Sequence, residues 1–200
     1  QTYYAKWTPS VYGITYGNVV NGAFAAARPE THTYGTATVI PDLTRTGYDF
    51  GGWIVNGTGT AQTGLTLGAE EFTGGITLTA QWTAKQFAIT YTGMNGAQYG
   101  DKHPDWYAYD TDAVISDPTK AGYTFLGWVV NGEGTARKDL TLMKETYLDN
   151  ITLTATWRQN PYTVTWNVNE GDALTGDYTK GAYFGEAITK PADPTRTGYT

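Results

Sequence analysis

Cysteine is absent from the 200 residues, and methionine occurs only twice. Without thiols there is no disulfide and no thiolate metal site, although this fixes no compartment. Basic residues are scarce as well: 13 Lys and Arg stand against 19 Asp and Glu, giving a net charge of −6. A chain of that sign is a poor match for nucleic acid or for an anionic membrane surface. Long apolar runs are missing; none approaches the roughly 18–20 residues that a spanning helix needs, and no secretory signal pattern is visible. Charged residues of both signs make up only 16% of the chain. In their place stand 25 Gly, 16 Tyr, 7 Trp and many threonines. β-Branched and aromatic side chains suit the pleated surface of a strand, so this composition predicts an ordered, β-rich protein.

The second feature is repetition. The stretch AGYTFLGWVVNGEGT, starting at Ala121 and closing with ITLTATW at Trp157, has a counterpart upstream. That counterpart is TGYDFGGWIVNGTGT, Thr46 to Thr60, closing with ITLTAQW at Trp82. Matching residues lie about 75 positions apart, as in Trp7, Trp82 and Trp157, or Trp53 and Trp128, and a fixed long period marks a tandem array. Residues 8–82 and 83–157 are then two complete repeats, identical at more than two positions in five. Residues 1–7 read as the closing strand of a preceding repeat, and 158–200 as an incomplete third one. Units this small are individually marginal, so neighbour contacts are expected to matter.

Within a repeat, YGITY (Tyr12–Tyr16), FAITY (from Phe87) and YTVTW (from Tyr162) alternate larger with small side chains, the period-two signature of a half-buried strand. The segment after it varies most; Asn21-Gly22 and Asn95-Gly96 mark turns, and Ala23–Arg28 is compatible with one helical turn. A second strand is expected around Tyr34–Ile40 and Tyr109–Ile115, with Ala182–Thr189 as the third copy. An Asp-X-Thr-basic turn follows at Asp42–Arg45, Asp117–Lys120 and Asp193–Arg196. Aspartate accepts backbone hydrogen bonds there, so turn chemistry is the favoured reading. The strand GYxFxGWxV then leads into Asn56-Gly57 or Asn131-Gly132, a type I′ hairpin pair. Leu65–Leu67 and Leu140–Leu142 fit either a helical turn or an edge strand, while ITLTAxW is the clearest strand of all. Only Thr83–Gln86 separate Trp82 from the next strand, too few for a flexible spacer, so the repeats are expected to be stiffly coupled.

The combination of PTRTGYT, GYTFLGW, ITLTATW and a following YTVTW resembles the Listeria–Bacteroides repeat family, the B-type repeats of internalin-like bacterial surface proteins. The resemblance covers essentially the whole chain, although repeat one has Leu43 where the others carry proline and the double glycine usual after the first strand is missing. It implies a β-rich α+β class: tandem β-grasp-like units, each a small mixed sheet with at most a short helix, joined end to end into an elongated rod. It also implies a non-enzymatic segment of a secreted, extracellular cell-surface protein, serving as stalk, fibre or adhesion module. The expected partners are neighbouring repeats or subunits of the same protein. An alternative is an adhesin-type module that recognises glycan or host protein.

Candidate sites are weighed against simpler readings. Trp7, Trp53, Trp82, Trp128 and Trp157, with Tyr48, Tyr123, Phe50 and Phe125, recur among apolar neighbours and are expected to form the repeat core, since a core must recur in every copy. Trp106 stands in a variable loop where repeat one has Thr31; with Tyr107 and Tyr109 it is the candidate binding or interface surface. His32 and His103 do not align with each other, and Asp101, Asp105, Asp110 and Asp112 lack EF-hand spacing. No metal or cofactor site is therefore expected. No nucleophile elbow, zinc-protease helix or phosphate-binding loop occurs, which points away from an enzyme. Asn56 and Asn150 open glycosylation sequons, with chance occurrence the favoured explanation. The ragged ends suggest a window on a longer array, or, as the rival reading, strand sharing between subunits that builds a head-to-tail filament.

Overall fold

The computed structural model describes residues 1–199; Thr200 lies outside them. In the first repeat the strands are β1 (Val11–Gly17), β2 (Ala23–Phe24), β3 (Thr31–Thr33), β4 (Thr38–Val39), β5 (Leu43–Thr44), β6 (Tyr48–Val55), β7 (Thr58–Gln62), β8 (Thr66–Leu67) and β9 (Ile76–Ala84). The second repeats the series as β10 (Gln86–Thr92), β11 (Ala97–Gln98), β12 (Trp106–Ala108), β13 (Ala113–Ile115), β14 (Thr119–Lys120), β15 (Tyr123–Val130), β16 (Glu133–Arg137), β17 (Leu140–Leu142) and β18 (Ile151–Gln159). The last two are β19 (Pro161–Thr163) and β20 (Gly181–Tyr183). Only Lys85 separates β9 from β10, so the short connection expected at Thr83–Gln86 is mostly strand.

The chain divides into two compact units. Unit 1 comprises Gln1–Gln86 with Ala108–Thr111 and Lys144–Leu148. Unit 2 comprises Phe87–Tyr107, Asp112–Met143 and the residues from Asp149 onwards.

Unit 1 is built on a five-stranded sheet of order β3-β1-β9-β6-β7. Its first and last long strands are parallel neighbours, with Ile14 opposite Ile76 and Gly17 opposite Thr79. β6 lies antiparallel on the other side of β9. The alternation of ITLTA explains why β9 sits in the middle: Ile76, Leu78 and Ala80 are buried, whereas Thr77 faces out. The β6–β7 hairpin turns at Asn56 and Gly57, both with positive φ (49° and 71°), as a type I′ pair requires. Asn56 also binds back to the sheet, donating its N–H to Thr77 O at 2.7 Å and accepting from Thr77 N on Oδ1 at 2.8 Å. Asn131 and Thr152 repeat both bonds in unit 2, each at 2.8 Å.

At most a short helix is expected from the sequence, and none forms among the described residues; they are all β and irregular chain. The α+β, β-grasp-like expectation is corrected on this point. Ala23–Arg28 lacks a buried stripe, since only Phe24 is partly covered, and six residues cannot nucleate a helix unaided. Instead β2 pairs with β5, and β4 with β8. These ribbons supply Ile40, Leu43, Leu65 and Leu67, which pack in one cluster with Ile14, Trp53, Ile76, Leu78 and Ala80 from the sheet. Two-stranded ribbons thus take the covering role of a helix. The Leu-Thr-Leu segments resolve as strand pairs, β8 on β4 and β17 on β13.

Unit 2 repeats the sheet as β12-β10-β18-β15-β16, again with a parallel pair, Ile89 to Ile151 and Thr92 to Thr154. In both units a tryptophan is the buried centre. Trp53, fully buried, lies 5.5 Å from the rings of Tyr16 and Phe50, and Trp128 lies 5.5 Å from Tyr91 and Phe125. A glycine beside each keeps a bulge in register. A Cβ on Gly52 would meet Gln62 backbone at 2.4 Å, and one on Gly127 would meet Arg137 N at 2.4 Å.

The third opening strand is much shorter than its counterparts. β1 and β10 have a partner on each side, whereas among the described residues β19 is bonded only to β20. Trp7 also departs from expectation. Trp82 and Trp157 pack on Phe50 and Phe125 (5.2 and 5.1 Å) and donate to Asn18 O and Gly93 O (3.0 and 2.9 Å). Those partners come earlier in the same repeat. Trp7 is 89% exposed, so it is not a core residue here.

Tyr16, Tyr91 and Trp166 occupy one repeat position and make one bond each: to Pro29 O at 2.6 Å, Pro104 O at 2.9 Å and Thr179 O at 2.8 Å. Burial pushes the Tyr91 phenol up to about 12, with the Asp105 carboxylate and Tyr99 adding to the rise. Stability tied to this proton is fully present below the unfolded tyrosine value of 10.0 and is lost as pH climbs towards 12. Alkaline unfolding of unit 2 followed by fluorescence should show that decline. Tyr91→Phe should forfeit about 1 kcal/mol at neutral pH and flatten the alkaline loss.

Candidate functional site

The recurring basic residue of the Asp-X-Thr turn sets the geometry of the candidate site. Asp42 Oδ1 accepts from Gly64 N at 2.9 Å, and Asp117 Oδ1 from Asp139 N at 3.0 Å, so each aspartate ties its segment to a loop 22 residues further on rather than closing its own turn. Three residues on, the Arg45 guanidinium lies 3.9 Å above the Tyr48 ring and 5.9 Å from that of Trp82. Lys120 repeats this over Tyr123 (4.2 Å) and Trp157 (5.8 Å), and Arg196 sits 4.2 Å over Tyr199. A cation on an aromatic face in half-exposed surroundings contributes about 0.5–1 kcal/mol.

Between the cation and its tyrosine lies a glycine. Gly47 has φ +75°, and a Cβ there would fall 2.1 Å from the Tyr109 ring. Tyr109 is 9% exposed and meets Tyr48 edge-on at 5.7 Å. The backbone ties the same parts together in unit 1: Lys85 N donates to Gly47 O at 2.9 Å, and Tyr109 N to Lys85 O at 3.0 Å. Unit 2 contains the same seat. Gly122 has φ +76°, Phe184 stands 2.2 Å from where its Cβ would be, and Asn160 N donates to Gly122 O at 2.8 Å. An aromatic ring seated flush on a left-handed glycine is thus a repeated device of this chain.

Beside the seat in unit 1 runs an open groove of about 240 Å³ lined by Asn21, Arg45, Thr46, Tyr48, Tyr109 and Glu145. Five of these positions are matched in the second seat by Gly96, Lys120, Ala121, Tyr123 and Phe184, so the amide of Asn21 and the hydroxyls of Thr46 and Tyr109 have no counterpart there.

The residues predicted as a binding or interface surface do not form one. Trp106 is 59% exposed on β12, at the edge of its sheet. Tyr107 is fully buried, stacks on Phe87 at 6.4 Å and donates its hydroxyl to Met143 O at 2.7 Å. Tyr109 belongs to the glycine seat. Strand alternation separates the three, because 106 and 107 must point to opposite faces. His32 occupies the position of Tyr107 in the first repeat; it is fully buried, with Nδ1 2.8 Å from Thr38 Oγ1, and is a core residue. His103 stacks on Tyr99 at 4.8 Å. Among the described residues no group of three or more His, Asp or Glu is gathered as a metal site. Of the expected core residues, Trp53, Trp128 and Phe125 are buried, while Tyr48, Phe50, Trp82, Tyr123 and Trp157 are partly covered.

Sequence reasoning missed the seat, although its signal was present: Tyr109 and Phe184 stand one period apart, as do Gly47 and Gly122.

Comparison with known proteins identifies three successive matches to the Listeria-Bacteroides repeat domain, over residues 12–81, 87–156 and 162–200. Two proteins of Evansella cellulosilytica are similar along all of this chain at 27% identity. One carries the provisional name of a Gly-rich membrane protein and the other that of a membrane protein. The chain spans only 23% and 28% of their lengths. No solved structure matches.

Substitution separates strain from contact at the seat. Gly35 also has positive φ (+87°) but open space around its Cβ direction. Gly35→Ala should therefore cost about 1–3 kcal/mol from backbone strain alone. Gly47→Ala should cost clearly more, because it must also displace the Tyr109 ring, and Tyr109→Ala should remove that excess in a double-mutant cycle read by urea unfolding.

Proposed function

The chain belongs to the Listeria-Bacteroides repeat family, and from that membership and the strand order we propose that it is a non-enzymatic structural segment, a stalk or fibre, of an extracellular cell-surface protein. The observation that carries this reading is the parallel pairing of the first and last long strands in each repeat, β1 with β9 and β10 with β18. Because those strands run the same way, the chain enters a sheet at one end and leaves it at the opposite end. Tension on the chain then slides the two strands past each other and loads their hydrogen bonds together rather than one at a time. The glycine seat supports the same reading: Lys85, the lone residue between β9 and β10, is bonded through both its N–H and its C=O. The membrane-protein names of the two relatives agree with an envelope-associated parent protein, of which this segment would be one part.

A second reading rests on Trp106. An exposed tryptophan on an edge strand, present in one repeat only, suits an adhesin-type contact with glycan or a host protein.

Single-molecule pulling on the chain between handles tests both. The stalk reading predicts discrete unfolding steps that release roughly 240 Å of contour per repeat, unchanged by Trp106→Ala. A chain that extends smoothly without steps contradicts it. Retention of the chain on a glycan array, abolished by Trp106→Ala, would favour the second reading instead.

A further inference from the structure

Four Asn-Gly pairs occur in the chain: Asn21-Gly22, Asn56-Gly57, Asn95-Gly96 and Asn131-Gly132. All four asparagines are exposed, and glycine, having no side chain, leaves its own N–H free to approach the preceding side-chain amide. By dipeptide alone the four are chemically equal. The structure makes them unequal.

Asn56 and Asn131 are held on two counts. Each has positive φ (49° and 52°), and each accepts on Oδ1 from a strand N–H, Thr77 or Thr152, at 2.8 Å. Rotating either side chain towards the following glycine breaks that bond. Asn21 also has positive φ (59°), and the N–H of Gly22 is occupied, donating to Val19 O at 2.9 Å. The second repeat shifts this turn by one residue. There the corresponding bond runs from Ala97 N to Met94 O at 2.8 Å, so Gly96, with φ +70°, is inside the turn rather than at its end. Neither the Asn95 side chain nor the Gly96 N–H has a hydrogen-bond partner among the described residues.

We propose that Asn95 is a site of spontaneous modification, converting through a cyclic imide to aspartate and isoaspartate, while the other three Asn-Gly pairs are protected by the fold. The Gly96 nitrogen, losing its proton to solvent base, attacks Asn95 Cγ; the new N–Cγ bond closes a five-membered ring as the Cγ–Nδ2 bond breaks, and Nδ2 takes a proton back from solvent and leaves as ammonia. Water then opens the ring at either carbonyl. Attack at the former side-chain carbonyl gives aspartate in normal linkage, and attack at the main-chain carbonyl gives isoaspartate, with the backbone routed through the side chain. No oxidant, metal or enzyme enters the balance. The isoaspartate form inserts an extra methylene into the main chain between residues 95 and 96, one residue ahead of Ala97, which pairs with Lys120 in the β11–β14 ribbon. That lysine is the cation over Tyr123. Conversion therefore adds negative charge and loosens the ribbon carrying the basic turn of the second repeat. The first repeat is spared.

The test is peptide mapping of the intact chain after prolonged incubation in mildly alkaline buffer, separating asparagine, aspartate and isoaspartate forms at all four positions. The folded chain should convert at Asn95 about tenfold or more faster than at Asn21, Asn56 and Asn131, the factor expected when one or two hydrogen bonds must first break. In denaturant the four rates should converge, and Asn95→Gln should remove the fast phase. Equal rates at all four positions in the folded chain, or an intact Asn95 while a denatured control converts, overturn the proposal.

Discussion

The parallel contact between the opening and closing strands of a repeat is the constraint on which the remaining structure depends. Ile14 to Gly17 lie against Ile76 to Thr79, and the second repeat places Ile89 to Thr92 against Ile151 to Thr154 in the same register. This pairing joins residues some 60 positions apart in sequence, so the intervening chain must close as a loop before it can form. Everything between is arranged to make that closure favourable: a hairpin with a left-handed Asn-Gly turn, a tryptophan buried under it, and ribbons covering the sheet. The third opening strand, Pro161–Thr163, pairs with Gly181–Tyr183, and the described chain around them forms little other regular structure.

The same constraint explains why polar groups recur with the period. Asn56 and Asn131 hydrogen-bond the edge of the closing strand just where its parallel partner begins. The phenols of Tyr16 and Tyr91 satisfy proline carbonyls beneath the sheet, and the indoles of Trp82 and Trp157 satisfy carbonyls at the end of the opening strand. Unmet backbone groups at those places would cost more than the bonds themselves gain. Within unit 1 the basic residue over a tyrosine and the aromatic ring on a glycine add to this brace.

Much of this was legible in the sequence because it depends on local rules. Alternation in ITLTA predicts which face Ile76, Leu78 and Ala80 bury, and Asn-Gly predicts the hairpin. The period gives the repeats. Short segments were not legible. Leu-Thr-Leu is too brief for a period to show, and only its partners, Thr38–Val39 and Ala113–Ile115, make it a strand. Ala23–Arg28 reads as a helical turn until the absence of a buried stripe is known. Trp7 and Trp106 show a different limit: a residue type favours burial, but neighbours decide it, and Tyr109 proved to be a packing group only because Gly47 left room for it.

The central claim, that the parallel strand pair holds each repeat together, is tested most directly by native-state hydrogen exchange. The account predicts that amides of Ile14–Gly17 and Ile76–Thr79, with Ile89–Thr92 and Ile151–Thr154 in the second repeat, exchange only through complete unfolding of their sheet. Edge strands such as Thr58–Gln62 and Glu133–Arg137 should exchange earlier, by local opening. Parallel-pair amides that exchange as fast as those edges would contradict it, and the repeat would then have to be held by the antiparallel β6–β9 and β15–β18 side alone.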